Sequence, residues 1–202
     1  MATNQGISDW EKMYDNVNPE EMPWFNENLD HDLEDVLKKL NITEGEVLDI
    51  GTGPGTQAIE LAGRGFNVTA TDISDIAIQK ARERVALEER VVKFIPDDIL
   101  NTKLAEKFDF VFDRGCFHVF PPDRREDYIK AIQKLLKPSG WLFLKCFSQL
   151  EPGDYGPHRL SSEEIRNVFR SPFIIHSIND TVFIGNRQPP PKALFCVIQN
   201  GS

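Results

Sequence analysis

Between Val47 and Phe147 short apolar runs and amphipathic helical stretches take turns, and this alternation limits the fold more than any other feature of the chain. Val47–Ile50 is an apolar run bounded by Gly45 and Gly51, and Thr56–Ala62 then reads as helix. Asn67–Ile73 is rich in β-branched residues. Ser74 follows, suited to cap a charged helical stretch to about Glu89, because its hydroxyl can satisfy a free amide of the first turn. Val91–Ile95 and Phe108–Phe112 are the third and fourth strand candidates. Pro121-Pro122-Asp123 opens a helix with Tyr128, Ile129, Ile132, Leu135 and Leu136 on one face. Pro138-Ser139-Gly140 stops it, and Trp141–Phe147 is a fifth strand. Strands separated by helices build βαβ units, so the class is α/β, doubly wound, with a mainly parallel sheet covered by helices on both faces.

Both ends depart from the alternation. Residues 1–44 form an N-terminal helical or lid segment carrying Trp10, Tyr14 and Pro23-Trp24-Phe25, with an amphipathic helix over Leu29–Leu40. After the fifth strand, Glu151–Arg159 is a Pro/Gly-rich loop, and Ser161-Ser162-Glu163-Glu164 is a capping box opening a helix to about Phe169. Phe173–Ile184 and Ala193–Ile198 read as closing strands, an antiparallel hairpin at one sheet edge. One domain is expected over 1–202, with a cofactor-binding core at 45–147 and an acceptor loop, helix and closing strands at 148–202.

Composition narrows the setting. The 202 residues carry 32 acidic against 23 basic side chains, a formal charge of −9 with no basic run, which disfavours a nucleic-acid or anionic-membrane partner. No apolar run approaches the ~20 residues that span a bilayer, and Met1–Asp9 lacks the apolar region of a signal peptide. Cys116, Cys146 and Cys196 are an odd number, each in or beside an apolar run, and read as reduced core thiols. The expectation is a cytoplasmic protein, monomeric or weakly dimeric.

The stretch VLDIGTGPGTQ, residues 47–57, supplies the chemistry. A phosphate-binding P-loop needs a Lys-Ser/Thr that does not follow here. A dinucleotide turn needs G-x-G-x-x-G/A, which matches only when started at Gly53. The third reading is a nucleoside without phosphate, such as S-adenosylmethionine, with Gly51, Thr52, Gly53 and Gly55 giving clearance for its ribose and amino-acid tail. Asp49 favours this reading, since a carboxylate there can hold a cationic amino group but repels a pyrophosphate. Asp72, followed by Ile73, can accept both ribose hydroxyls as a fork. Asp98 can accept an adenine amino proton while Ile99 packs on the ring; Asp97 is the alternative acid, and Asp98 is preferred because an apolar residue follows it.

VLDIGTGPG, TATDIS and PDDIL together resemble the first three cofactor motifs of class I S-adenosylmethionine-dependent methyltransferases. The resemblance spans roughly residues 45–147 and implies a seven-strand Rossmann-like sheet with a reversed last strand. FDFVFDRGCFHVFPPDRREDY, YGPHRLSSEEIRNVF and WEKMYDNVNPEEMPWF resemble segments of the thiopurine/thiol methyltransferase-like branch, which includes thiocyanate and halide methylating members. On that match Arg114 is carried over as a cofactor contact, and the tryptophan segment folds over the cofactor, which places Trp24 there. The amino-methylating enzymes of DNA and glutamine carry an Asn/Asp-Pro-Pro-aromatic tetrapeptide where this chain has Asp113-Arg114-Gly115-Cys116.

Transfer from a sulfonium is an in-line displacement that yields S-adenosylhomocysteine, and the protein's part is to align the acceptor and exclude water. A soft acceptor such as a thiolate needs little help from a base, whereas a hydroxyl or ammonium must lose a proton. His158 in the late loop is the candidate base or acceptor contact, Arg159 a candidate to steer an anion, and Trp24 the candidate lid. His118, among Cys116, Phe117, Val119 and Phe120, reads first as a packed histidine. No metal set is apparent. A small-molecule methyltransferase with a sulfur or similarly soft acceptor is the first expectation. A protein side-chain methyltransferase, a cofactor-binding regulator without turnover, and an NAD-linked oxidoreductase stay open as alternatives.

Overall fold

The computed structural model describes residues 4–86, 90–153 and 156–202, with side chains from Asp9 onward. Seven strands form one sheet: β1 (Glu46–Ile50), β2 (Asn67–Asp72), β3 (Val92–Pro96), β4 (Phe108–Arg114), β5 (Leu136–Phe147), β6 (Phe173–Val182) and β7 (Lys192–Asn200), in the order β3-β2-β1-β4-β5-β7-β6. The first five run parallel, and β7 pairs antiparallel with both β5 and β6. The expected closing hairpin is therefore present, with β6 on the edge and β7 between it and β5.

Six α-helices accompany the sheet: α1 (Asn4–Asn16), α2 (His31–Leu40), α3 (Thr56–Gly63), α4 (Asp75–Val85), α5 (Arg125–Leu135) and α6 (Ser162–Val168). Side chains alternate across the central strands, so that Phe110, Phe112 and Phe143 pack with α2, α3 and α4, while Val111, Leu142, Leu144 and Cys146 pack with α5 and α6. Leu33, Val36 and Leu37 seat α2 on the first of these faces, each worth about 1.5–3 kcal/mol relative to exposure. The two caps read in the sequence are formed. Ser74 accepts from the Ala77 amide at 3.1 Å, and Ser161 and Glu164 complete a reciprocal capping box.

Boundaries differ at several elements: α2 begins at His31 and not Leu29, β3 runs Val92–Pro96 and not Val91–Ile95, β6 ends at Val182 before Ile184, and β7 extends over Lys192–Asn200. β5 begins at Leu136, five residues before the expected Trp141, because Leu136 pairs with Phe108 ahead of the irregularity that absorbs Pro138-Ser139-Gly140. β4 extends two residues past Phe112 to Arg114, in register with Lys145. The helix after Ser74 is described to Val85, and its expected end near Glu89 lies outside the described residues. No described helix is long and apolar enough to cross a membrane.

Candidate functional site

Three buried carboxylates surround the first glycine turn, at the carboxyl ends of β1, β2 and β4, where open α/β sheets bind ligands. Asp72 ties two turns together, since its Oδ2 accepts from Gly53 N and its Oδ1 from Ser74 N, both at 2.9 Å. Asp49 is fully enclosed and accepts from the Thr52 hydroxyl at 2.5 Å. Asp113 accepts from the amides of Gly115, Cys116 and Phe117 and from Tyr128 Oη, which fixes the turn after β4. Burial pushes the Asp49 carboxyl up to about 7, the Thr52 hydrogen bond opposing it and Asp113 and Asp72 adding to it. Burial likewise raises Asp72 to about 6 and Asp113 to about 6, against the hydrogen bonds each accepts. Among the described residues no cation is hydrogen-bonded to any of the three. A group of carboxylates disposed this way favours a cationic guest, which a sulfonium carrying an ammonium tail is and a pyrophosphate is not.

The glycines of this turn serve different neighbours. Gly51, Gly53 and Gly55 all have positive φ. A Cβ on Gly53 would stand 2.7 Å from Tyr14 Oη, so the turn approaches the N-terminal helix, while a Cβ on Gly55 would strike Ala81 and Phe94 at 2.9 Å. The bareness of Gly55, expected to clear a cofactor, is accounted for by packing within the core. Thr52 is buried and donates its backbone N–H to Thr71 O at 2.9 Å.

At the end of β3, both oxygens of Asp98 are engaged: Oδ1 accepts from Leu100 N at 3.0 Å and Oδ2 from the Asn101 side chain at 2.6 Å. Asp97 accepts from Lys103 N through Oδ1, and its buried Oδ2 has no partner. The acceptor left open at this strand end is thus Asp97 Oδ2, the acid ranked second in the sequence. Ile99 is buried in the α5-side core, and Ile73 is half-buried between Asp72 and Ser74.

A second buried cluster, around Lys145 of β5, is built from compensated charge. Lys145, the one charged residue in the apolar run 141–147 of β5, is fully buried like its neighbours; its Nζ donates to both oxygens of Asp30 at 2.9 and 2.8 Å and to Asp32 Oδ2 at 2.7 Å. Arg114 donates from Nε to Asp30 Oδ2 at 2.9 Å, from Nη1 to Trp24 O at 3.0 Å and from Nη2 to Ile184 O at 2.5 Å. Burial would raise the Asp30 carboxyl, but Lys145 and Arg114 outweigh it and hold the group below its ordinary value. Arg114, assigned to the cofactor by resemblance, here clamps the Trp24 segment to the loop between β6 and β7. Asp30, His31 and Asp32 could together approach one metal ion, but the Lys145 ammonium already sits between the two carboxylates.

Trp24 meets Trp10 edge-on at 6.1 Å, and Trp10 stacks on Tyr14 at 6.3 Å. This aromatic group lies against Ile76 and Ala77 of α4. Lys80 of α4 donates to the carbonyls of Tyr14 and Val17, and Asp75 N donates to Glu11 at 2.7 Å. Tyr14, named in the sequence only as part of the N-terminal segment, stands beside the glycine turn next to Gly53; its signal was the four-residue spacing from Trp10.

Of the two histidines, His118 is packed as its apolar neighbours led one to expect, and His158 lies on the loop surface. His158 is exposed, and its backbone N–H donates to His118 O at 2.9 Å. His118 is buried, accepts at Nδ1 from Phe147 N at 2.9 Å, and packs against Phe147 and Phe183 at 4.6 and 5.8 Å. Arg159, a candidate for steering an anion, donates to Glu151 O, Pro152 O and Pro157 O and so braces its own loop.

The architecture and the acid-lined glycine turn define a nucleoside-binding α/β domain, and comparison with known proteins narrows it. Residues 47–140 match the family model of the methyltransferase domain. An uncharacterized methyltransferase of Schizosaccharomyces pombe is 32% identical over 120 residues, 59% of this chain and 83% of that protein. A probable thiol methyltransferase 2 of Arabidopsis thaliana is 28% identical over 130 residues, 63% of this chain and 58% of that longer protein. A chain solved in work on the conversion of a disulfide bond into a thioacetal group during echinomycin biosynthesis superposes with a TM-score of 0.84 at 24% identity, over 96% of this chain and 93% of that one. The Burkholderia thailandensis 1,6-didemethyltoxoflavin-N1-methyltransferase, solved with its acceptor and S-adenosylhomocysteine, superposes with a TM-score of 0.75 at 20% identity, over 97% and 87% of the two chains. The chain belongs to the class I S-adenosylmethionine-dependent methyltransferases.

Proposed function

We propose that the protein transfers the methyl group of S-adenosylmethionine directly to a small, soft acceptor, a thiolate or a comparable nucleophile. One observation carries the choice of acceptor: the buried groups at the ends of β4 and β5 that could serve as bases are already engaged. Asp30 is shared between Lys145 and Arg114, Asp113 holds three amides and a phenol, and His118 Nδ1 accepts from Phe147. An acceptor that arrives as an anion needs none of them. The thiol-methylating relative is consistent with this.

In the cofactor half, Asp49, with Asp72 and Asp113 behind it, holds the cationic centre and its ammonium. Asp72 faces the ribose, Asp97 Oδ2 or Asp98 the adenine amino group, and Trp24 and Tyr14 cover the tail. S-adenosylmethionine supplies the electrophilic methyl, and the chain's own residues bind, orient and keep water out. A radiolabelled-methyl screen over thiols, halides, catechols, amines and peptides tests the reading. Thiols are expected to be labelled most strongly, and labelling of amines or hydroxyls alone overturns the soft-acceptor assignment.

A further inference from the structure

We infer that His118 is a fixed hydrogen-bond donor that orients the acceptor, through an Nε2–H left open beside the end of β4. A ring nitrogen that accepts from a backbone amide carries no proton, and Phe147 N–H occupies Nδ1 at 2.9 Å. The neutral ring therefore carries its hydrogen on Nε2. Burial, with His158 nearby, lowers the imidazole to about 3, so the ring is neutral throughout the physiological range.

Nε2 has no partner among the described residues, yet it is not sealed. The buried side-chain atoms that lack a partner are Asp97 Oδ2 and Arg125 Nε. The nitrogen's position is marked by Gly115, where a Cβ would stand 3.3 Å from Nε2 and 4.0 Å from Phe183 Cε1. The next residue, Cys116, lies against Gly51 of the cofactor turn, where a Cβ would meet its Cβ at 3.0 Å. A single turn of chain thus links the methyl donor's cradle to this open N–H, and a bare residue at 115 keeps it uncovered. The walls are Phe147 and Phe183. The charged and titratable groups facing this corner are His158, Asp113, Cys116, and the Arg114 and Lys145 cations over the Phe183 ring at 5.4 and 5.7 Å. An open donor of fixed direction gives up its solvent when a guest arrives, and a lone pair on the guest replaces that hydrogen bond. A thiolate sulfur, or a carbonyl or ring nitrogen beside it, supplies that lone pair, whereas an ammonium presents donor to donor.

This inference rests on the proposed acceptor class, and a measurement that needs no turnover separates the two. In protein carrying 15N-histidine, the His118 ring should show the neutral Nε2-protonated pattern unchanged from pH 5 to pH 9, and saturating thiophenol with S-adenosylhomocysteine should move the Nε2 signal. A proton on Nδ1, or an Nε2 signal that thiophenol leaves in place, overturns the inference. A moved signal without methyl transfer from S-adenosylmethionine sinks the acceptor class and keeps the donor. With turnover, His118→Phe should raise the thiol KM by roughly tenfold or more while leaving the thermal shift by S-adenosylhomocysteine intact. His118→Gln, which keeps an N–H near the same place, should restore most of it, and equal losses in both variants would show a purely structural role.

Discussion

Two clusters of buried charge sit at the carboxyl ends of the central strands, and they solve opposite problems. Asp30, Asp32, Lys145 and Arg114 neutralise one another within 2.9 Å and join α2, β4 and β5. Asp49, Asp72 and Asp113 hold only amides and hydroxyls, and burial drives all three carboxyls up. The first cluster is complete without a ligand. The second holds no cation among the described residues, and in the proposed function it is the cationic cofactor that completes it. Charge at strand ends in this protein is therefore structural where it is paired, and the proposed function assigns to the ligand the charge that is not.

The largest expected effect tests the paired side. Asp30→Ala leaves the Lys145 ammonium buried against Asp32 alone and removes a partner of Arg114, and should cost about 3–5 kcal/mol of stability in urea unfolding. A loss below about 1 kcal/mol would mean that the network is not what joins α2 to the sheet. On the unpaired side, Asp72→Ala removes the acceptor of Gly53 N and Ser74 N as well as the proposed ribose contact. Affinity for S-adenosylhomocysteine should fall by roughly tenfold to a hundredfold, as expected for hydrogen bonds to a charged group. Calorimetry reads the change directly, and unaltered affinity takes Asp72 out of the cofactor site.

The clusters also respond to pH with opposite sign. A carboxyl unfolds to a value near 4, and Asp49 titrates at about 7 in the folded protein. Between those values the native state holds a proton that the unfolded chain has lost, so this contribution to stability falls as pH rises from about 4 to 7 and is constant above. Asp30, held below its ordinary value, contributes stability that is present above the unfolded value and disappears as pH falls through the folded one. A cationic ligand needs Asp49 ionised. The affinity for S-adenosylmethionine should therefore climb with pH up to about 7, approaching tenfold per unit on the acid side, and binding should release a proton near pH 6.5. Titrations in two buffers of different ionisation heat detect that proton. Asp49→Asn should bind more weakly at pH 8 and lose the inflection, and an inflection that persists points to another group.

Most of the unpaired cluster was legible in the sequence, because acids at the ends of successive strands are read from local order alone. The strand–helix alternation and both caps are equally local. The paired cluster was not legible, since Lys145 and Asp30 are 115 residues apart. The one hint was a lone lysine inside Trp141-Leu142-Phe143-Leu144-Lys145-Cys146-Phe147, which demands a partner but does not name it. The order of preference between Asp97 and Asp98 could not take account of the short turn after β3, whose capping consumes lone pairs of Asp98 and which leaves no periodic signature. His158 attracted attention by its place in a loop. His118 was read as packed, which it is, while the direction of its free nitrogen depends on an amide 29 residues away.

The smallest effect concerns the seam where the N-terminal helix meets the unpaired cluster. Tyr14→Phe keeps the stacking on Trp10 and removes only the hydroxyl, so its cost should stay near 1 kcal/mol or below. Gly53→Ala is different: at φ 54° it takes on the left-handed penalty of about 1–2 kcal/mol, and its methyl would also stand 2.7 Å from Tyr14 Oη. When Gly53→Ala is combined with Tyr14→Phe that oxygen is gone, and only the backbone penalty is left. The two substitutions should therefore be less than additive in denaturant unfolding, with a coupling of about 1 kcal/mol, within the range for residues in contact. Strict additivity would place Tyr14 away from the glycine turn in solution and leave the turn uncovered by the N-terminal helix.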